Sequence, residues 1–177
     1  MSRFEKGFTL LELIIALSIT LVISASSGPA IFQVFGGTER NSNRLTAVRQ
    51  VENAGFWIAR DAQKANTVRT DNVTSPDLLL LNWTTWDDAG YPTYYSARYS
   101  FDNVTASIGR LKRNYWSSAG ANQTALVALN IYYNPADTDN TTMASYQGPI
   151  LTLRLSAIVG KSQETRKYYI QRRPNAY

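Results

Sequence analysis

The chain has 177 residues, 44% of them apolar, including four tryptophans, eleven tyrosines and six phenylalanines, which is enough to bury the core of one ordinary domain. It carries 18 basic and 13 acidic residues, and the resulting net charge of +5 permits an anionic partner without requiring one. The sequence has no cysteine and no histidine, which excludes disulfides, thiolate metal sites, thiol nucleophiles and histidine bases, so few enzyme mechanisms remain.

The first predicted element is a long apolar helix. Apolar side chains run from Phe8 to Ile23 and resume from Ala30 to Phe35, and the first stretch is interrupted only by Thr9, Glu12, Ser18 and Thr20. The 28 residues from Phe8 to Phe35 exceed the roughly 20 that cross a bilayer as a helix. Arg3 and Lys6 make the preceding flank basic, which predicts a single span with a cytoplasmic N-terminus and the rest of the chain outside.

Two ordinary interpretations of this N-terminus leave one residue unexplained. A secretory signal peptide would have the same basic flank and apolar run, and the small residues Ser24 to Ser26 form an acceptable cleavage site. A plain membrane anchor would also fit the apolar run. Neither accounts for Glu12, because a charge within an apolar span is costly and usually has a partner.

The stretch Lys6-Gly7-Phe8-Thr9-Leu10-Leu11-Glu12 resembles the class III signal of type IV pilins and pseudopilins. The resemblance implies that a prepilin peptidase cuts between Gly7 and Phe8, removes residues 1–7 as a leader peptide and methylates the new amino group of Phe8. It also implies residence in membrane lipid, followed by assembly with other pilin subunits at an inner-membrane platform.

This resemblance gives Glu12 a physical role. Once Phe8 is the N-terminus, its ammonium lies at nearly the depth of Glu12 in a neighbouring subunit. An unpaired carboxylate in an apolar environment is stabilised by such a cation, so the pair would drive docking and set the axial register of a filament.

Gly28 and Pro29 follow the first apolar stretch. Proline inside a helix removes a backbone hydrogen bond and clashes with the preceding turn, so this pair predicts a kink or a melted turn. Alternatively, it only marks the exit from the membrane. Residues 8–35 are accordingly interpreted as the transmembrane and filament-core helix.

Residues 36–66 predict the soluble, amphipathic half of the same helix. An apolar stripe recurs in three- and four-residue steps at Leu45, Val48, Val51, Gly55, Ile58, Ala62 and Ala65. Charged residues, Asp61 among them, fill the other faces of this helix. Trp57 is interpreted as a core-packing residue rather than as a platform for a ligand.

Residues 67–177 predict a β-rich globular head. Apolar runs and alternating patterns predict strands over Leu78–Trp83, Tyr94–Phe101, Arg110–Trp116, Leu126–Tyr133, Ile150–Val159 and Tyr168–Gln171. The fold class is therefore α+β, with a long N-terminal helix packed on a mostly antiparallel sheet. The order of these segments is similar to that of J-type minor pseudopilins of type II secretion and related minor pilins.

Two basic, aromatic-rich stretches raise the question of DNA binding. They are Arg110–Trp116 and Lys161–Arg173, and they combine side chains that backbone or single-stranded DNA binding uses. Alternation along a strand more often places such basic residues on a solvated face over an aromatic core. DNA is therefore retained only as an alternative partner.

Acidic residues offer weak alternatives to a purely structural role. Asp137 and Asp139 supply oxygen ligands in a loop, but the spacing and glycine of an EF-hand are missing, so a polar turn is favoured over a Ca²⁺ site and no cofactor is expected. Asp87-Asp88 is the other close acid pair, and no signature frames either pair as an enzyme site. Asn-x-Thr triplets, which are candidate glycosylation sites, begin at Asn72, Asn82, Asn103, Asn122 and Asn140.

These observations predict an assembly subunit rather than an enzyme: a minor pilin or pseudopilin anchored in the inner membrane and then built into an extracytoplasmic filament. Two alternatives stay open. One is a DNA-uptake subunit of a competence pilus, and the other is a membrane-anchored or secreted extracellular binding domain.

Overall fold

The structure of the protein is a computed structural model that describes residue 7, residues 9–70 and residues 76–172. Within these ranges the chain forms one helix, α1 (Leu10–Ala62), followed by eight strands. The chain divides into two compact units, Met1–Ser42 and Asn43–Tyr177. The first contains the N-terminal part of α1, and the second contains the rest of α1 with the sheet.

The helix continues through the predicted breaking point. Gly28 and Pro29 lie inside α1, and residues on both sides of them are helical, so the melted turn is not observed. The kink stays a prediction. Helix α1 ends at Ala62, earlier than residue 66, because the chain turns there towards the sheet. Asn66 helps to make this turn: its backbone N–H donates to the carbonyl of Asn82, and its side-chain oxygen accepts the N–H of Thr84.

In the second unit, one face of α1 is buried on the sheet. The predicted stripe is correct from Val51 onwards, but Leu45 is 50% exposed and does not belong to the buried face. Most of the buried side chains of the helix are small, which lets its backbone approach the strands closely. The buried apolar helix residues are Ala47, Val51, Ala54, Ile58 and Ala62, and the sheet opposes them with Leu79, Leu81, Ala97, Tyr99, Leu111, Ile131, Leu151, Leu153 and Leu155.

The strands form one curled antiparallel sheet, which confirms the predicted α+β, pilin-like architecture. The sheet order is β1-β2-β3-β4-β5-β7-β6, and β8 pairs with the other side of β7. The strands are β1 (Thr67–Arg69), β2 (Asp77–Trp86), β3 (Pro92–Thr105), β4 (Ile108–Ser117), β5 (Asn122–Tyr132), β6 (Met143–Gln147), β7 (Ile150–Val159) and β8 (Ser162–Gln171).

The predicted strands differ from the observed ones mainly in length. Strand β7 has the predicted bounds, whereas β2, β3 and β4 extend beyond both predicted ends and β5 begins at Asn122 rather than Leu126. Strands β1 and β6 were not predicted, because three and five residues carry too little alternation. Strand β8 begins at Ser162 rather than Tyr168, since the inward positions of its first half include the charged residues Glu164 and Arg166.

The pairing between β5 and β7 is limited to Ile131 opposite Ala157, so much of the second edge of β5 needs other partners. Helix α1 provides two of them. The side-chain oxygen of Gln50 accepts the N–H of Leu129 at 2.7 Å, and the side-chain N–H of Asn53 donates to the carbonyl of Val127 at 2.5 Å. Two amides of the helix thus replace ladder bonds that a neighbouring strand would make.

The closest approach of α1 to β8 occurs at a glycine. A Cβ atom on Gly55 would lie 2.5 Å from the ring of Tyr168, a distance that real side chains do not adopt. The Tyr168 hydroxyl donates to the carbonyl of Val51 at 3.3 Å. Any side chain at position 55 would therefore force the Tyr168 ring to move away from the helix.

Candidate functional site

The predicted assembly residue, Glu12, lies in the first turn of α1. Its Oε2 accepts hydrogen bonds from the backbone N–H and the side-chain hydroxyl of Thr9, each at 2.9 Å, while its own N–H donates to Thr9 Oγ1 at 3.3 Å. This reciprocal arrangement is a capping box, which satisfies backbone donors that the first turn leaves free. The donors of this cap are neutral and supply no countercharge, so the pairing of Glu12 between subunits stays a prediction.

The predicted cleavage site adjoins this cap. Gly7 is exposed, and nothing lies within 4 Å of the position that a Cβ would take there. Phe8, the predicted methylated residue, lies outside the described residues, as does the rest of the leader. Cleavage and methylation therefore stay predictions from the sequence.

The polar residues of the apolar stretch bond within the stretch itself. The hydroxyl of Ser18 donates to the carbonyl of Ile14, and that of Thr20 donates to the carbonyl of Ala16, both at 2.8 Å. Together with the Thr9–Glu12 cap, these bonds give every polar interruption between Phe8 and Ile23 a partner inside the helix. Such internal bonding lowers the cost of moving these side chains into an apolar environment.

Large apolar side chains cover the surface of the N-terminal unit. Each of the following is more than half exposed: Leu10, Leu11, Leu13, Ile14, Ile15, Leu17, Ile19, Leu21, Val22, Ile23, Ile31, Phe32, Val34 and Phe35. A contiguous apolar surface of this size marks contact with protein or membrane. Among the residues that the structure describes, no helix meets the length and apolarity needed to cross a membrane.

At the other end of α1, Asp61 forms a buried ion pair that the sequence interpretation missed. Its side chain is 2% exposed, and it accepts hydrogen bonds from Arg113 Nε at 2.6 Å and from the Tyr99 hydroxyl at 2.6 Å. Burial raises the pKa of the Tyr99 phenol, and the neighbouring Asp61 carboxylate raises it further, so the phenol stays a donor. A signal was present in the sequence, since Asp61 lies three residues after Ile58 on the apolar stripe.

Arg113 also contacts aromatic rings. Its guanidinium lies 5.3 Å from the ring centre of Trp57 and 4.7 Å from that of Tyr115, while Arg60 lies 5.4 Å from the Trp57 ring. Trp57 is half-buried and packs against the core, in agreement with its interpretation as a packing residue. The ion pair and the contact of Arg113 with Trp57 together join the last turns of α1 to β4.

The two predicted basic stretches do not form two continuous basic faces. In the first, Arg113 points towards α1 with 11% of its side chain exposed, and Lys112 forms an ion pair with Asp102 at 2.7 Å on the opposite face. Arg110 and Lys112 lie on the solvated face that alternation predicts for them, whereas Arg113, which was grouped with them, does not. Because residues alternate along a strand, neighbours 112 and 113 face opposite sides.

In the second stretch, the arginines bond within the head. Arg166 pairs with Glu52 of α1 at 2.6 Å and with Glu164 at 3.2 Å, and Arg172 donates to the carbonyl of Asn66. Lys167 is exposed. Arg173 lies outside the described residues.

The acidic turn predicted as a weak Ca²⁺ candidate is held by its own hydrogen bonds. The Asp137 carboxylate accepts the backbone N–H groups of Asp139 and Asn140 at 3.2 and 3.0 Å and the hydroxyl of Tyr132 at 3.1 Å. The N–H of Asn140 is the main cause that lowers the pKa of Asp137. Within the described ranges, no group of three acidic residues could hold a metal ion.

The other acid pair also belongs to a turn. Asp87 accepts the backbone N–H groups of Ala89 at 3.1 Å and Tyr91 at 2.7 Å, which closes the β2–β3 connection. Of the asparagines in Asn-x-Thr triplets, Asn103, Asn122 and Asn140 are exposed, Asn82 is partly buried in β2, and Asn72 lies outside the described residues.

Comparison with models of known families matches residues 2–28 to the prokaryotic N-terminal methylation motif. A search of the curated proteins and a search of the solved structures found no match to the chain. The matched range contains Gly7, the Thr9–Glu12 cap and most of the apolar surface of the N-terminal unit. The N-terminus of this chain therefore carries the class III prepilin signal of type IV pilins and pseudopilins.

Proposed function

We propose that the protein is a minor pilin or pseudopilin, a structural and assembly subunit of a type IV pilus or a type II secretion pseudopilus. The observation that carries this proposal is the match of residues 2–28 to the methylation motif. The motif belongs to structural subunits, and the proposed role is accordingly structural rather than enzymatic. Its partners would be a prepilin peptidase, an inner-membrane assembly platform and other pilin subunits.

Before assembly, residues 8–35 would lie in the inner membrane as a single span, with the N-terminus cytoplasmic and the head outside. Two observations support this placement. The apolar side chains of this part of α1 are exposed, and Ser18 and Thr20 donate their hydroxyl protons to carbonyls of the same helix. In a filament, the same surface would pack against the corresponding helices of other subunits, which removes it from lipid and water alike.

The capping box prepares Glu12 for this step. Its donors within the chain are the neutral N–H and hydroxyl groups of Thr9, which orient the carboxylate without neutralising its charge. After cleavage, the ammonium of Phe8 in a neighbouring subunit would supply the missing positive charge. The pair would be strong because the filament core excludes water and lowers the effective dielectric constant.

The N-terminus of the protein from its native membrane tests the proposal. Mass spectrometry should find a chain that begins at Phe8 and carries one additional methyl group. A chain that begins near Ser26 would establish a conventional signal peptide, and a chain that retains its leader would establish a plain anchor. Either result would contradict the proposal.

A DNA-uptake role has less support than a structural one. Three of the arginines that suggested it, Arg113, Arg166 and Arg172, are engaged with Asp61, Glu52 and a backbone carbonyl. A membrane-anchored extracellular binding domain would lack the methylated N-terminus, so the same mass spectrum distinguishes it.

A further inference from the structure

Three exposed aromatic residues share one face of β2, β3 and β4, and two of them, Trp86 and Tyr94, also line a pocket at the end of α1. Trp86 of β2 is 68% exposed, Tyr94 of β3 is 54% exposed and Trp116 of β4 is 48% exposed. None of the three is needed for the core, and exposed rings of this size are costly to leave in water. We call them the aromatic row.

The register of the strands places the row on one diagonal. Tyr94 lies opposite Thr84, two residues before Trp86, and Trp116 lies opposite Ser96, two residues beyond Tyr94. Diagonal neighbours of this kind have Cα atoms roughly 7–8 Å apart, so the three rings cover about 15 Å in nearly a straight line.

The space between Tyr94 and Trp116 is uncharged; most of its surface is apolar, with amide and hydroxyl groups among the aromatic rings. A shallow pocket lies between Tyr94 and Trp116, and its lining includes the side chains or backbone of Thr67, Asn82, Thr84 and Ser96. Beside it, Asn114 of β4 accepts the hydroxyl of Thr124 at 2.9 Å. The row is thus flanked by amides and hydroxyls rather than by aliphatic side chains.

The charges around the row are mixed: the pocket beside Trp86 and Tyr94 is lined by Arg60, Lys64 and the Asp61–Arg113 pair, so no purely cationic groove follows the rings. The cations nearest along β3 and β4 are matched by carboxylates: Arg98 pairs with Asp77 at 3.7 Å, and Lys112 pairs with Asp102 at 2.7 Å. The turn that follows Trp86 begins with Asp87 and Asp88, whose carboxylates repel phosphate groups. Single-stranded nucleic acid requires the opposite arrangement, namely rings in a cationic groove.

We propose that the aromatic row binds a linear, uncharged oligosaccharide. The C–H-rich faces of sugar rings are apolar and complement the electron-rich faces of tryptophan and tyrosine. The hydroxyls at the edges of the sugar rings need both donors and acceptors, and the neighbouring amides and hydroxyls provide both. The site lies entirely in the second unit and does not depend on how the N-terminus is processed.

The test uses the full-length chain in a zwitterionic detergent that has no sugar headgroup, titrated with cellohexaose and with chitohexaose. Tryptophan fluorescence and calorimetry should report saturable binding of at least one hexasaccharide, with a Kd on the order of 0.1 mM. Because a ring stacking contributes about 0.5–1.5 kcal/mol, Trp86→Ala, Tyr94→Ala and Trp116→Ala should each weaken binding by about two- to tenfold.

The matched control is Tyr169→Ala, which removes an exposed ring of β8 that lies outside the row and should leave the Kd unchanged. Far-UV circular dichroism verifies that each variant is folded. If Trp116→Ala is not folded, Trp116→Leu replaces it, since leucine keeps apolar bulk but cannot stack as a ring.

Failure of both hexasaccharides to bind at millimolar concentration would overturn the proposal, as would binding that survives loss of all three rings. Binding of oligo(dT) that is lost in Trp116→Ala would assign the row to nucleic acid instead. Concentration-dependent self-association that these variants abolish would assign it to a second copy of the chain.

Discussion

Asp61 and Arg113 form a two-pronged ion pair between the last turn of α1 and β4: Arg113 Nε lies 2.6 Å from Oδ2, and its Nη2 lies 3.0 Å from Oδ1. The carboxylate is buried, the guanidinium is partly buried, and Tyr99 completes the hydrogen bonding of the carboxylate. The pair fixes the rotation of the helix end over the sheet, since only one helical position presents a carboxylate to this arginine.

Loss of one partner should be costly. Asp61→Asn preserves the shape of the side chain but leaves the partly buried guanidinium of Arg113 without a countercharge, so the free energy of unfolding should fall by about 2–3 kcal/mol. Urea unfolding followed by circular dichroism measures this change. The control is Asp102→Asn, which removes the exposed pair with Lys112 and should change stability little. Equal effects of the two substitutions would contradict the burial of the Asp61 pair.

The same cluster predicts a dependence of stability on alkaline pH. Burial and the Asp61 carboxylate raise the pKa of Tyr99 above the ordinary value near 10. Above that pH the unfolded chain loses the phenolic proton and the folded chain retains it, so the free energy of unfolding should decrease as the pH rises. Comparison of unfolding at about pH 8 and about pH 11 should show a smaller decrease for Tyr99→Phe than for the wild type. An equal decrease in both proteins would exclude this role for Tyr99.

Gly55 should not tolerate even one additional methyl group. Gly55→Ala places a Cβ against the Tyr168 ring, and overpacking of this kind costs about 1–3 kcal/mol, despite the higher helix propensity of alanine. Thermal or urea unfolding measures the loss. In Gly55→Ala/Tyr168→Ala the clash is absent, so the double variant should lose less stability than the sum of the single variants. Additive losses would mean that the ring does not limit position 55.

The sequence predicts most of the fold because the aliphatic core residues recur at the regular spacing of a helix or a strand. The stripe from Val51 to Ala62 and the alternation in Ile150–Val159 are both carried by aliphatic residues at regular spacing, and both are correct in the structure. The predicted β8 begins too late because Glu164 and Arg166, on the inward side of its first half, are charged. Arg166 pairs with Glu52 of the helix and with Glu164. Partly exposed ion pairs of this kind depend on tertiary partners that a periodic pattern cannot reveal.

The sequence predicts the local parts of the candidate site but not the contacts between residues that are distant in the chain. The N-terminal signal is local in sequence, and the family comparison matches it at residues 2–28. Thr9 and Glu12 have the spacing of a capping box, but a carboxylate within an apolar run equally indicates a partner outside the helix. Asp61 and Arg113 are separated by 51 residues of intervening chain, and only the register of the sheet brings them together.

DNA binding by the head should be weak and dependent on salt. Because Arg113 and Arg166 are paired with carboxylates, the contribution of the basic stretches should come from exposed cations such as Lys167. A fragment of residues 38–177 should bind short duplex and single-stranded DNA without sequence preference, and binding should collapse between about 50 and 200 mM salt. Sub-micromolar affinity at the higher salt that falls in Tyr115→Ala/Trp116→Ala would favour the DNA-uptake alternative.

The two roles of Glu12, helix cap and charged partner, can be separated by substitution. Glutamine at the third helical position still accepts the bonds of a capping box, so Glu12→Gln retains the cap and removes only the charge. Thr9→Ala does the reverse: it removes the side chain that caps the helix and leaves the carboxylate in place. Both variants should enter the inner membrane.

The most direct measurement is the amount of the chain that co-purifies with other pilin subunits from its native cells. If the charge of Glu12 pairs with the N-terminal ammonium of a neighbour, Glu12→Gln should be absent from the assembled fraction while remaining in the membrane, and Thr9→Ala should be present. Incorporation of Glu12→Gln at the wild-type level would contradict the pairing and leave Glu12 only its role as a helix cap.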